Sequence, residues 1–454
     1  MVVQHTTSQI NYQRVWNLAW PIILANITIP LIGATNIAVI GRMPSPVYIG
    51  AVALGVVVLQ CIYWSFSFLR KGTTGVTAQA YGAQNYSEVY SSLARALLLA
   101  FSLATVVIVF QELISWLAFN VFLNGSEEVE ALAKEYFGIR IWGSIATMGN
   151  YVMLGWFYGI QRPKLALILR IAMNALNIPL AIYMVITLHW GVAGAAWSAL
   201  ISHHFVFVLS LIVAFILLKK EQANANGSIN WGFLNGIFDR SKLVRLFKIN
   251  SDLFIRTVLL FIAFAWFTSA AASRSDLILA VNTVLINLFW FISYALDGFA
   301  NAAEALIGQA YGAKNQIMFN EVVHKTSKMA IVFALVFTLA YFIFGTQMLS
   351  LMTNLDSVKI EATKYLPWLI AIPLTGIGAF QLDGIYIGLT HTRVLRNMMI
   401  VSFALYAIAI LILPQYFANH GLWLALHIFL IVRAVSLAIP FQKLKNQLFL
   451  DEST

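Results

Sequence analysis

Five carboxylates stand in or beside long apolar runs of this chain: Glu112, Asp252, Asp297, Glu304 and Asp383. Burying an ionisable group in such a run is costly, so each is a candidate for passing a proton or holding a cation. An isolated carboxylate in a low-dielectric site exchanges a proton nearer neutral pH than it does in water. Na⁺ would instead need several oxygen ligands, which carboxylates on different elements can supply. Glu112 lies late in its run and reads as an interfacial acid. Glu304 follows the apolar part of its run and reads as a group that meets water or serves a gate. Asp252 has Arg256 four residues on, on the same helical face, so a local ion pair competes with ion coupling there. For Asp297 and Asp383, coupling or gating competes with a carboxylate held by neighbours such as Tyr294, Asn301 or Gln381.

Other chemistries lack their residues. No G-x-x-x-x-G-K-[ST] string is present, so no phosphate-binding loop of that kind powers the protein. Cys61 is the one cysteine, which excludes a disulfide framework or a cysteine metal site. The eight histidines show no ligand pairing, and the adjacent His203 and His204 point to different helix faces. No nucleophilic triad is supported. The chain reads as a non-enzyme with no cofactor and no resident metal.

The elements that position these acids follow from composition. Of 454 residues, 60% are hydrophobic and 10% charged, and mean hydropathy is +0.81. A soluble domain carries roughly 25% charged residues, so a water-soluble globule and a disordered chain are excluded. Crossing a bilayer takes about 20 apolar residues as helix, whereas barrel strands would alternate. Twelve apolar stretches are expected near 15–40, 47–69, 92–118, 136–160, 164–187, 191–218, 246–271, 277–300, 327–350, 365–389, 397–417 and 421–441. The polar segment from Lys219 to Lys242 divides them six and six. The expected partition is an N-terminal lobe at 1–218, a linker at 219–245 and a C-terminal lobe at 246–454. The first residues lack the pattern of a signal or transit peptide.

The net charge of +10 is explained by loops rather than by nucleic acid. With the N-terminus inside, inward segments hold Arg14, Arg70, Lys71, Arg95, Lys219, Lys220, Lys314, Lys325, Arg393 and Arg396, among others. Outward loops keep only Arg42, Lys134, Arg274, Lys359 and Lys364, and one of them is acidic at Glu127, Glu128, Glu130 and Glu135. Excess Lys and Arg mark cytoplasmic loops, so both termini are expected in the cytoplasm.

The halves repeat each other. AQAYGAQN at 78–85 recurs as GQAYGAKN at 308–315, and GWFYGIQ at 155–161 recurs as GIYIGLT at 384–390. Six helices per half is an even number, so the repeat is parallel, about an axis along the membrane normal. Duplicated bundles of this sort hold substrate between the halves and work by alternating access. The acids break the repeat: Asp252, Asp297 and Asp383 face Pro21, Ser67 and Leu154 in the first copy.

At several stretches the chain resembles a multidrug and toxic compound extrusion (MATE) transporter of the DinF-like branch. They are PIILANITIPLIG, SPVYIGAVALG and FLRKGTTGVTAQAYGAQ in the first half. In the second they are DLFIRT, YALDGFANAAEALIGQAYGA and FQLDGIYIGLTHTRVLRN. The resemblance covers essentially the whole chain. It implies an all-α membrane protein of twelve helices in two pseudo-symmetric six-helix lobes, set in a bacterial inner membrane as a monomer. It implies export of small organic, often cationic or amphipathic compounds in exchange for H⁺ or Na⁺, with lipids as the surrounding partner. By family position Asn36, Asn177 and Ser198 fall around a cation pocket, with Tyr151 a less certain neighbour; interhelical hydrogen bonding is the plain alternative. Two departures stand out. The family's usual Asp in a D-T-A-V-I-G string is Asn36 here, and the Asp that often follows the fifth-helix Asn by four residues is Ala181. The first lobe thus lacks both carboxylates that the resemblance would assign to coupling.

Pro21, and Pro30 after it, are expected to let the first helix kink. Most aromatics, such as Trp116, Trp190 and Trp423, fit interfacial belts or lipid-facing packing. Trp64, Phe68, Phe289 and Trp290 are candidates for holding an organic cation by cation–π contact. Two rival functions remain. A flippase for a lipid-linked precursor would need several bases in its cleft, for which only Arg140, Arg256 and Arg433 qualify. A receptor or scaffold gives no reason for the repeat.

Overall fold

A continuous apolar run in a membrane has no water to bond its backbone, so it closes its hydrogen bonds internally as a helix. The computed structural model describes residues 10–43, 45–122, 126–226 and 236–448. Twelve spans follow: α1 at 12–40, in two pieces, Tyr12–Ile27 and Ile29–Ile40; α2 at Pro46–Gly82; α3 at Tyr86–Val109; α4 at 127–159; α5 at Pro163–Thr187 and α6 at Gly191–Asn226. Then come α7 at Arg240–Ala272, α8 at Asp276–Gly312, α9 at Gln316–Met352 and α10 at Asp356–Gly388. The stretch Thr392–Gln447 turns at Ala418 (φ 51°, ψ −130°) and so divides into α11 at 392–417 and α12 at 419–447. The polar segment is partly helical. α6 continues to Asn226, and α7 begins at Arg240 behind Asp239, whose Oδ1 accepts from the Ser241 N–H at 2.9 Å. Lys, Glu, Gln and Ala are good helix formers, so helices outlast their apolar runs there.

The chain forms two compact units. One, the N-lobe, holds 24–81 and 85–247; the other, the C-lobe, holds 248–448 with 10–23 and 82–84. The ends of α1 and α7 are therefore exchanged relative to a simple cut at the linker. In the C-lobe, Arg14 donates to Gln309 Oε1 at 2.8 Å, the Ile10 N–H donates to Glu321 at 2.9 Å, and Lys325 donates to the Ile10 carbonyl. Trp16 stacks on Phe333 with centroids 5.4 Å apart. In the N-lobe, Arg245 donates to Gln79 Oε1 at 3.0 Å, and Arg95 donates to the Gly236 carbonyl. Gln79 and Gln309 are the equivalent glutamines of AQAYGAQN and GQAYGAKN. Each repeated glutamine thus accepts from an arginine at the start of a lobe-crossing helix.

The rest of the repeat has the same local geometry in both units. Gln84 and Lys314 are left-handed, at φ 55° and 54°, and the next residues, Asn85 and Asn315, cap α3 and α9 with their side chains. A Cβ at Gly155 would overlap the Arg70 carbonyl oxygen, and one at Gly384 the Ala300 carbonyl oxygen. Four residues on, a Cβ at Gly159 would overlap the Thr77 side chain and one at Gly388 the Glu304 carbonyl oxygen. The G-x-x-x-G of GWFYG and of GIYIG lets α4 touch α2, and α10 touch α8, backbone to backbone.

Candidate functional site

The C-lobe interior collects charges from four helices. Asp383 on α10 is buried, and its Oδ2 accepts from Arg433 Nη2 of α12 at 2.7 Å and from Arg256 Nη2 of α7. Arg433 also lies 5.6 Å from the centre of the Phe429 ring. Asp297 on α8, a helix that packs against α10, is half-buried and within electrostatic reach of Arg433. It makes no hydrogen bond or ion pair of its own among the described residues. Asn301 and Glu304 continue its stripe along α8, both buried.

Several sequence expectations change here. The Asp252–Arg256 pair does not form. Arg256 crosses to Asp383, and Asp252 accepts from Arg396 Nη1 at 2.7 Å and Thr392 Oγ1 at 3.0 Å, both on α11. A helical i,i+4 pair is worth only a few tenths of a kcal/mol, about 0.2–0.5, so charge-assisted partners on neighbouring helices override it. Asp383 is held by two guanidiniums and is not isolated, and Gln381 instead donates to Thr326 Oγ1 at 2.7 Å. Glu304 is buried rather than meeting water, whereas Glu112 is exposed as an interfacial acid would be. Trp423 is fully buried and donates to Asn282 Oδ1 at 3.0 Å, so it belongs to the C-lobe core and not to a belt; Trp116 and Trp190 are exposed. Phe289 and Trp290 pack on Phe264 at 5.3 and 4.8 Å between centroids, and Phe68 is buried. Sequence reading missed Arg396 as a partner because it lies 144 residues from Asp252. Arg433 left a visible signal, a lone base in an apolar run.

In the N-lobe, Asn36 on the second piece of α1, Asn177 on α5 and Ser198 on α6 are all buried, on three segments that pack together. Asn177 Nδ2 donates to Ser198 Oγ at 3.4 Å, and Ser198 donates to the Ala195 carbonyl at 2.9 Å. The Oδ1 atoms of Asn36, Asn177 and Asn174, a residue the sequence reading missed, have no hydrogen-bond partner among the described residues. The polar oxygens gathered there are neutral, and Ala181 adds none. α1 runs helically through Pro21 and is interrupted at Thr28, two residues before Pro30, which cannot donate a backbone hydrogen bond. A cavity of about 190 Å³ beside α3 and the start of α7 is bordered by Glu88, Arg95, Lys242 and Arg245. Glu88 pairs there with Arg95 and Lys242, which pins the start of α7. Among the described residues no group of three or more His, Cys, Asp or Glu is placed to hold a metal.

The family model described as MatE matches residues 21–183 and 253–413, one segment in each half. The chain belongs to the MatE family. It is 37% identical over 431 residues to DNA damage-inducible protein F of Escherichia coli, across 95% of this chain and 92% of that one. This places it in the DinF-like branch of the MATE transporters. A solved structure described as MATE in the bent conformation superposes with a TM-score of 0.84 at 20% identity, over 97% of each chain. Another, described as the outward-facing conformation of a multidrug resistance MATE family transporter, gives 0.82 at 20% identity over 96% of each. These two likenesses carry the twelve-helix, two-lobe fold. As a MatE-family chain this protein is a multi-pass membrane transporter of a multidrug efflux family and not an enzyme.

Proposed function

We propose that this transporter exports organic cations in exchange for protons, with Asp297 as the residue at which cation and proton compete. The observation that carries the reading is the contrast between two acids on neighbouring helices. Asp383 is neutralised by Arg256 and Arg433, while Asp297 has no direct partner and is half-buried. Antiport needs one site that holds either the substrate's charge or the coupling ion, and a partnerless carboxylate meets that requirement. Na⁺ is the second reading. It would draw on the unpartnered amide oxygens of Asn36, Asn174 and Asn177, with Ser198 beside them. Protons are favoured because that group holds no carboxylate to offset a sodium charge.

In this reading Asp252, tied to Arg396, holds α7 to α11, and the Asp383 cluster fixes α10 between α7 and α12. The lobes alternate access in a bacterial inner membrane with both termini in the cytoplasm, and the unit of transport is the monomer. The flippase alternative loses support because two of its three candidate bases are engaged by Asp383. The test is proton release. Adding a fluorescent organic cation to detergent-solubilised protein in weak buffer should acidify the medium, and its affinity should rise with pH. Asp297→Asn should abolish both effects. Equal proton release from Asp297→Asn and wild type would refute the assignment.

A further inference from the structure

The N-lobe interior carries a buried base, Arg140. Arg140 on α4 is 7% exposed. Its Nε and Nη1 have no hydrogen-bond partner, and no carboxylate pairs with it among the described residues. A guanidinium does not shed its proton in proteins, so this charge cannot be relieved by neutralisation. A lone buried charge costs several kcal/mol by order of magnitude, and a bound anion would offset that cost. The repeat makes the point sharper. With Gly155 aligned on Gly384, Arg140 falls opposite Leu369, which is fully buried in the C-lobe core. One copy of the scaffold has gained acids where the other has Leu154 and Ser67. The other copy has gained a base where its counterpart has leucine.

The backbone is arranged around this side chain. The α-helix stops at Arg140 and makes a single 3₁₀ turn, Ile141–Gly143, before resuming at Ser144. Mid-helix 3₁₀ turns often mark a functional hinge or local strain. The Tyr63 hydroxyl on α2 donates to the Arg140 carbonyl at 3.1 Å and lies 3.3 Å from Ser144 Oγ, which fixes the turn. Gly143 supplies the space. A Cβ there would sit 3.3 Å from Arg140 Nη1 and 4.0 Å from the Tyr63 hydroxyl oxygen. Beyond it lies a polar stripe, where Thr147 Oγ1 meets His203 Nδ1 at 3.3 Å and Asn150 donates to the His203 carbonyl at 3.0 Å. The result is a small cradle with two undirected guanidinium donors, closed on one side by Leu200.

We propose that Arg140, over Gly143 and braced by Tyr63, is an anion site of the N-lobe that takes the carboxylate of an organic substrate. The cargo then includes acidic compounds as well as cations. This rests on the transporter reading only in treating the ligand as cargo, because binding is measured without a gradient and without Asp297. A planar carboxylate matches a guanidinium fork, Nη2 with either Nε or Nη1, which a spherical halide does not.

The experiment is thermal unfolding of the purified full chain in detergent, titrated with sodium benzoate, benzamide as its neutral isostere, and sodium chloride, at matched ionic strength. Benzoate should raise the melting temperature of wild type in a saturable way, and benzamide and chloride should not. Arg140→Gln should lower the apparent benzoate affinity at least tenfold, yet melt at or above wild type without anion, because it removes an uncompensated charge. Gly143→Ala keeps the charge but fills the cradle, and should also lose the benzoate response. A response to chloride equal to that of benzoate would assign the site to a resident halide and overturn the cargo. Benzoate stabilisation that persists in both variants would overturn the site. So would an Arg140→Gln protein that melts well below wild type without anion, since the arginine would then be structural.

Discussion

Asp383 and Asp297 lie on adjacent helices of one lobe, yet removing their charges should have opposite signatures. Asp383→Asn leaves Arg256 and Arg433 buried without their shared counter-charge, which should cost about 3–5 kcal/mol and show as a lower detergent melting temperature and a lower yield. Asp297→Asn removes a carboxylate that bonds nothing, so its melting curve should stay near wild type. Asp252→Asn breaks a part-exposed pair with Arg396 and should cost about 1 kcal/mol or less. The same measurement on all three checks the order. The identity of the acids was legible in the sequence because charges are rare in apolar runs. Their partners were not. Arg256 was assigned to the nearest acid along its own helix, whereas the decisive contact is made between helices, and spacing along one chain segment carries no information about that. For the same reason the sequence showed Arg140 as a base in an apolar run without revealing that no carboxylate pairs with it among the described residues.

At the scale of the element, glycine spacing decides which helices touch. Gly155 and Gly384 each face a carbonyl oxygen of the helix they pack on. Gly155→Ala and Gly384→Ala should therefore each cost about 1–3 kcal/mol through forced separation of two backbones. Equal melting of both variants and wild type would show that the helices are looser than this. The repeat of GWFYG and GIYIG was visible as letters, and its role as a packing seam became visible only with the partner helix in place. Helix ends were less legible. α6 outlasts its apolar run because the polar residues that follow are good helix formers, and the interruption of α1 falls at Thr28, nearer Pro30 than Pro21. Trp423 was misplaced because an indole suits a membrane interface and a core equally. Asn282, 141 residues away, is what satisfies its N–H and allows full burial.

At the scale of the whole molecule the repeat supplies a symmetric scaffold and the ionisable residues break the symmetry. The N-lobe interior carries Arg140 and neutral amides, and the C-lobe interior carries Asp297, Glu304 and Asp383 against two arginines. The proposed orientation is open to labelling. In a Cys61→Ser background, an impermeant thiol reagent should reach Glu128→Cys from outside and Asn226→Cys only from inside, and the reverse pattern would invert the topology. The most direct test of the central claim is efflux of a fluorescent organic cation from vesicles, measured per folded molecule under separately imposed H⁺ and Na⁺ gradients. Wild type should respond to the proton gradient, and Asp297→Asn should lose that response while keeping its folded yield. Full proton-driven efflux by Asp297→Asn, or efflux driven by Na⁺ alone in wild type, would contradict the account.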